Sequence, residues 1–88
     1  LVMEKLTCVG IERDGKYRGE AQQFTAHWAL RHHLGDANPQ KPMPGDIEGF
    51  FTNHNRFVTR RQASDIAFAS GQISQKQERP LLSSDIRW

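Results

Sequence analysis

The chain has 88 residues, 36% of them hydrophobic, and its 12 lysines and arginines against 10 acidic residues give a formal net charge of +2. This length fits one domain with a single small core, and the low apolar content leads us to expect a homo-oligomer that buries further surface. The small positive charge excludes the strong overall field of a dedicated nucleic-acid-binding protein and indicates local basic patches.

The single cysteine, Cys8, excludes an internal disulfide framework and a cysteine-based zinc site, which suits a reducing cytoplasm. No stretch approaches the roughly 20 apolar residues of a membrane helix, and the N-terminus lacks the regions of a signal peptide. We therefore expect a cytoplasmic protein without a membrane partner.

The first 35 residues predict a β-hairpin followed by a helix. Residues 6–11 form a short apolar run, and Asp14-Gly15 occupies a favoured hairpin turn before a second strand at Tyr17. Residues 20–34 carry apolar side chains at helical spacing, and Gly35 is well placed to end this helix. The predicted apolar stripe contains Ala21, Phe24, Ala26, Trp28, Ala29 and Leu30.

Residues 36–46 predict an extended linker. Pro39, Pro42, Pro44 and Gly45 remove backbone donors or favour turns, so little regular structure is expected here. Residues 74–80 are polar and end in a proline, which predicts a loop. The apolar residues of 81–88 predict a tail that docks on the domain or on a neighbour.

Residues 49–67 predict a strand, a turn, a second strand and a capped helix. Asn53-His54-Asn55 can supply the turn, because asparagine tolerates a positive φ angle. Thr59 and Gln62 have the spacing of a capping box, so the helix should begin at Arg60, and Gly71 should stop it. The predicted fold class is α+β, with a hairpin and helix followed by a strand pair and helix.

Neither a metal site nor a catalytic centre is predicted. The histidines His27, His32 and His33 lack the i,i+4 spacing that would place two side chains on one helix face. The acidic residues are scattered, and no serine or cysteine stands in a nucleophile motif. We therefore predict a protein that is not an enzyme and carries no cofactor.

An arginine cluster at the start of the second helix is the best candidate for binding. Arginine side chains beside free helix amides favour an anion such as phosphate, and a phenylalanine could stack on a base. Alternatively, Arg60 and Arg61 solvate the first turn and pair with Asp65 or Glu48, while the phenylalanines pack in the core. The candidate ligand site contains Phe50, Thr52, Asn55, Arg56, Phe57, Arg60 and Arg61.

The last 40 residues or so form a pattern of five segments. These are Gly49-Phe50-Phe51-Thr52, Arg56-Phe57-Val58-Thr59-Arg60, Ala63 with Ile66-Ala67, Gly71-Gln72-Ile73, and Ser83-Ser84-Asp85-Ile86. The pattern resembles a family of small phage and prophage proteins. The chain departs from it with Asn55 in place of the usual glycine and Thr59 in place of the usual aspartate.

That family is similar in turn to the phage anti-Thoeris sponges, non-enzymatic oligomers that sequester signals of the cyclic ADP-ribose type. The resemblance implies ligand contacts at Phe50, Arg56 and Arg60. Residues 19–23 stand where an arginine- and histidine-rich motif would be expected, so the resemblance does not assign ligand contacts to residues in the first half of the chain.

The leading hypothesis is a non-catalytic phage or prophage protein that sequesters a small phosphorylated nucleotide in the bacterial host cell. Arg56 and Arg60 would hold phosphates, Phe50 or Phe57 would face a base, and Arg56→Ala would lose binding. One alternative is a protein that inhibits a host enzyme or defence complex through exposed aromatic and arginine side chains. A second alternative is a nucleic-acid-binding accessory protein.

Overall fold

Four antiparallel strands form the centre of the structure, a computed structural model that describes residues 2–88. They are β1 (Leu6–Arg13), β2 (Lys16–Arg18), β3 (Ile47–Thr52) and β4 (Phe57–Thr59), in the sheet order β2-β1-β3-β4. Two helices, α1 (His27–His33) and α2 (Arg60–Ala69), and a short 3-10 helix at Ser83–Asp85 complete the elements. The predicted α+β class and its element order are confirmed.

The two hairpin turns follow from residues that accept a positive φ angle. Asp14 and Gly15 have φ angles of 53° and 76°, as the tight turn between β1 and β2 requires. Asn55, with a φ angle of 59°, closes the turn between β3 and β4. Both turns therefore lie where the sequence predicts them.

Both helices pack on one side of the sheet, and the core lies between these layers. The pairing of β1 with β3 shifts between Leu6 and Cys8, so Leu6 joins Val9 on the helix side despite their odd spacing. The core contains Leu6, Val9, Ile11, Leu30, Phe50, Val58, Ala63, Ala67, Ile73, Leu81 and Ile86.

Helix α1 is shorter than predicted. It begins at His27 rather than Glu20, because residues 19–23 form a turn in which the carbonyl of Gly19 accepts hydrogen bonds from the amides of Gln22 and Gln23. The carbonyl of Phe24 then accepts a hydrogen bond from the amide of Val9 at 2.8 Å. Gln23 has a φ angle of 56°, which no helix accommodates. The predicted stripe is also wrong at Trp28, which is exposed, whereas Leu30 enters the core.

Helix α2 has the predicted boundaries at its N-terminus. The side-chain oxygen of Thr59 accepts a hydrogen bond from the amide of Gln62, and the side chain of Gln62 accepts one from the amide of Thr59. The helix ends before Gly71, whose φ angle is 79°. The capping box therefore works as predicted.

Two irregular segments are fixed to the domain by specific contacts. The guanidinium of Arg13 donates hydrogen bonds to the carboxylates of Asp36 and Asp46, one at each end of residues 36–46. Arg13 lowers the pKa of both carboxyl groups. Residues 81–88 lie against the core through Leu81 and Ile86.

Candidate functional site

The structure does not bring the candidate ligand residues together. Phe50 has no exposed surface, because alternation along β3 points it into the core beside Val58. Its ring lies 5.2 Å from that of His27 and 6.2 Å from that of Trp88, measured between ring centroids. Phe50 is therefore a core residue and has no surface on which a base could stack.

Thr52 and Asn55 lie at the far end of β3. The hydroxyl of Thr52 is buried; it donates a hydrogen bond to Glu4 at 2.7 Å and accepts one from the amide of His54 at 3.1 Å. Asn55 lies in the turn that follows. Both residues border a shallow depression of about 440 Å³, which Glu20 also lines.

Arg56 is engaged in an ion pair with Glu4. Its Nε and Nη2 atoms donate to the two carboxylate oxygens at 2.7 and 2.8 Å. The hydrogen bonds from Arg56 and then from Thr52 lower the pKa of Glu4 to about 2. The fork of Arg56 that was expected to hold phosphate therefore already holds a carboxylate.

Arg60 belongs to a polar group that we call the Glu48 network, formed by the buried His27 and Arg31 and the partly buried Glu48 and Arg60. The carboxylate of Glu48 accepts from Arg60 at 2.9 Å and also accepts from Arg31. Arg60 donates to the carbonyl of Leu81 at 2.7 Å, and Arg31 donates to the carbonyl of Pro39. The alternative pairing of Arg60 with Glu48 is therefore the one that the structure contains.

His27 is the histidine of the Glu48 network. Its Nε2 lies 2.8 Å from the carbonyl of Gly49, and its Nδ1 lies 3.5 Å from Nη2 of Arg60. The carbonyl only accepts and the guanidinium only donates, so Nε2 carries the hydrogen and Nδ1 accepts. Burial and then the charge of Arg60 lower the pKa of His27 to about 4.

This pKa predicts a stability change in mild acid. The unfolded chain takes up the imidazole proton near pH 6.5 and the folded protein only near pH 4. The free energy of unfolding should therefore fall by about 2 kcal/mol between pH 7 and pH 5, a range above that in which carboxylates titrate. Urea denaturation at each pH measures this slope.

His27→Gln should flatten that pH dependence, because it removes the titrating group. His32→Gln is the matched control, since His32 lies exposed in the same helix, and it should keep the slope of the unsubstituted protein. A slope that persists in His27→Gln would show that another group is responsible.

Arg61 has a different environment from the other two arginines. It lines a cleft of about 600 Å³ between α2 and the loop 76–80, together with Ser64, Asp65, Lys76, Gln77, Glu78, Arg79 and Pro80. We call this the basic cleft. Lys76 pairs with Asp65 at 3.4 Å, and Arg79 pairs with Asp85 at 2.8 Å. Within residues 2–88, Arg61 has no carboxylate within 4.0 Å, so its charge is open to a ligand.

Of the residues that line the basic cleft, only Arg61 was among the candidate ligand residues. Arg61, Ser64 and Asp65 have the i,i+3,i+4 spacing of one helix face, turned away from the core residues Ala63 and Ala67. That spacing was the available signal. Residues 76–80 gave no such signal. Their polar composition predicts a loop, but it does not predict that the loop packs against α2.

Two kinds of feature are absent from the part of the chain that the structure describes. Residues 2–88 contain no cluster of three or more histidine, cysteine, aspartate or glutamate side chains able to hold a metal ion. Neither helix in that range has the length and apolar character needed to cross a membrane.

Comparison with known proteins relates most of the chain to a viral family. A family model described as Phage T4 y16D protein matches residues 15–87, from the first hairpin turn to the end of the tail. No curated protein matches the chain. No solved structure matches it.

Proposed function

The chain belongs to the phage T4 y16D protein family, and from this premise we propose that it is a non-catalytic protein that sequesters a small phosphorylated nucleotide. The signal would be of the cyclic ADP-ribose type, bound in the cytoplasm of the infected bacterium. The observation that supports this proposal is the open charge of Arg61 in the basic cleft.

The charges of the basic cleft favour an anionic ligand. Three cationic side chains line it, those of Arg61, Lys76 and Arg79, against the two carboxylates of Asp65 and Glu78. The pair between Lys76 and Asp65 is exposed, and such pairs contribute about 0 to 1 kcal/mol, so a phosphate can displace the carboxylate. A guanidinium such as that of Arg61 holds phosphate with two parallel hydrogen bonds.

The size and the remaining groups of the cleft also suit a nucleotide. Its volume of about 600 Å³ lies within the roughly 300 to 1,000 Å³ of small-molecule sites. The side chains of Ser64 and Gln77 supply neutral polar groups at the same wall. The hydroxyl of Ser64 donates to the carbonyl of Gln77 and keeps its lone pairs free to accept a hydrogen bond from a ligand.

The test begins with mass spectrometry of small molecules released when the protein is denatured. The protein is first incubated with extract of cells in which an NAD-derived defence signal has been triggered. A nucleotide in stoichiometric amount is expected. Titration calorimetry then compares the affinity of the protein for cyclic ADP-ribose with its affinity for ADP-ribose. A protein that releases no nucleotide and binds neither compound would refute the proposal.

Arg61→Ala should weaken nucleotide binding at least about tenfold, because it removes a charge-assisted contact of about 1.5 to 3 kcal/mol. Arg56→Ala is the matched control. Arg56 is paired with Glu4, outside the basic cleft, so the affinity should stay within about twofold. Equal losses in the two variants would contradict the placement of the ligand, and a loss only in Arg56→Ala would move it to the end of β3.

We also propose that the protein works as a homo-oligomer, as its low apolar content suggests. Analytical ultracentrifugation at micromolar concentration should give a mass that is a multiple of the single chain. A monomer across that concentration range would contradict this part of the proposal without affecting the test of nucleotide binding.

A further inference from the structure

The side of the sheet opposite the helices presents an aromatic surface. Tyr17 and Phe57 lie with ring centroids 5.0 Å apart, and Phe57 and Phe51 meet edge to face at 5.7 Å. These rings cover Gly10 and Gly49, where a Cβ atom would lie within 3 Å of a phenylalanine ring. We call the surface formed by Glu12, Tyr17, Ile47 and Phe57 above these glycines the open face.

Two large side chains of the open face are exposed to solvent. Tyr17 is 59% exposed and Ile47 is 46% exposed. Within residues 2–88, both helices pack on the other side, so no element covers these side chains. Exposed aromatic residues at the centre of a surface are the side chains that most often dominate binding between proteins.

The charged side chain of the open face is acidic, although the chain as a whole carries a net positive charge. Alternation places Glu12 on the open face, opposite Tyr17 and Ile47 in the pairing register. The three cationic residues within the strands, Arg13, Lys16 and Arg18, alternate to the helix side. Glu20 borders the adjoining depression, whose floor includes Phe51.

We propose that the open face docks a partner protein through a basic side chain flanked by apolar residues. A guanidinium or ammonium group stacks on the ring faces of Tyr17 and Phe57 and pairs with Glu12, while an apolar neighbour contacts Ile47. A nucleic acid is the poorer occupant, because its phosphates would meet Glu12 and Glu20 without a cation of the open face.

This surface is independent of the basic cleft. The cleft lies on α2 and the loop 76–80, in the helix layer, whereas the open face lies on the other side of the sheet. Arg61→Ala should therefore leave docking at the open face unchanged. The two proposals can fail separately.

The test is an NMR titration of the full chain, labelled with nitrogen-15, at millimolar peptide concentration. The probes are acetyl-Leu-Arg-Leu-amide and acetyl-Leu-Glu-Leu-amide, which differ only at the central side chain. The arginine peptide should shift the amide signals of Gly10, Gly49 and Tyr17, and it should bind about three- to fivefold more tightly than the glutamate peptide.

Glu12→Gln should reduce the preference for arginine to less than about twofold, since it removes the carboxylate and keeps the shape. Asp65→Asn is the control, because Asp65 is an exposed carboxylate in the helix layer, and it should keep the preference. Equal affinity for the two peptides, or no shift at the open face, would overturn the proposal.

Two further outcomes would also overturn it. An eight-residue oligothymidylate that shifts the same amides in a salt-dependent manner would assign the open face to nucleic acid. Signals of the open face that broaden with protein concentration alone would assign it to a second copy of the chain.

Discussion

Glu48→Ala should lower the free energy of unfolding by about 3 kcal/mol, because it leaves two poorly hydrated guanidinium groups without a counter-charge. The side chains of Arg31 and Arg60 are only 8% and 20% exposed, and both donate to this carboxylate. Urea denaturation at pH 7 measures the change. The free energy of unfolding of Glu48→Gln should lie between those of Glu48→Ala and the unsubstituted protein, since the amide oxygen of glutamine still accepts one hydrogen bond.

Asp65→Ala is the control for this prediction. Asp65 and Lys76 are about two-thirds exposed, at 71% and 68%, so the loss of their pair should change stability by less than about 0.5 kcal/mol. Similar small losses in both variants would show that water reaches the Glu48 network and screens its charges.

The Glu48 network also connects segments that have no regular structure. Arg31 holds the carbonyl of Pro39 in the linker 36–46, and Arg60 holds the carbonyl of Leu81 at the start of the tail. Hydrogen exchange of Glu48→Ala should therefore increase first in these two segments. Burial of the charged residues of this network gives them a structural role, which their types alone do not reveal.

Gly49→Ala should lower the free energy of unfolding by about 3 kcal/mol or more, beyond the usual cost of an added methyl group in a packed site. An added Cβ would lie 2.1 Å from the carbonyl oxygen of Val58 and 2.7 Å from Cζ of Phe57. The first obstacle is backbone of the neighbouring strand, so β3 and β4 would have to separate. Thermal and urea denaturation measure the loss.

Gly10→Ala is the comparison, because there the added atom meets only ring atoms. The nearest atom of each ring is Cε2 of Phe51 at 2.6 Å and Cε1 of Phe57 at 3.1 Å, and these rings can shift. Its cost should be smaller, about 1 to 2 kcal/mol. The reverse order of the two variants would contradict the close approach of β3 to β4.

Several residues of the C-terminal sequence pattern, among them Gly49 and Phe50, have structural roles. Gly49 permits strand contact, Phe50 fills the core and Thr59 caps α2. The amide side chain of Gln72 donates to the carbonyl of Leu6 and accepts from its amide, both at 2.9 Å, as a neighbouring strand would. These residues therefore support the fold through packing and hydrogen bonding.

The sequence by itself determined the features that depend on near neighbours in the chain. Asp14-Gly15 specifies a tight hairpin, Asn55 permits the second turn, and Thr59 with Gln62 fixes the start of α2. Each of these features depends on contacts between residues no more than about four positions apart in the chain, so it does not depend on the rest of the fold. The α+β class follows from the same local elements.

The tertiary structure alone decided which side chains are available. The turn at residues 19–23 and the hydrogen bond from β1 to Phe24 shortened α1, and the packing of the helices on one side of the sheet buried Phe50 and exposed Tyr17. Arg56 pairs with Glu4, 52 residues away, and Arg60 pairs with Glu48, 12 residues away. Arg61 has no such carboxylate partner within residues 2–88. Such contacts depend on how strands and helices meet, and spacing along the chain does not contain that information.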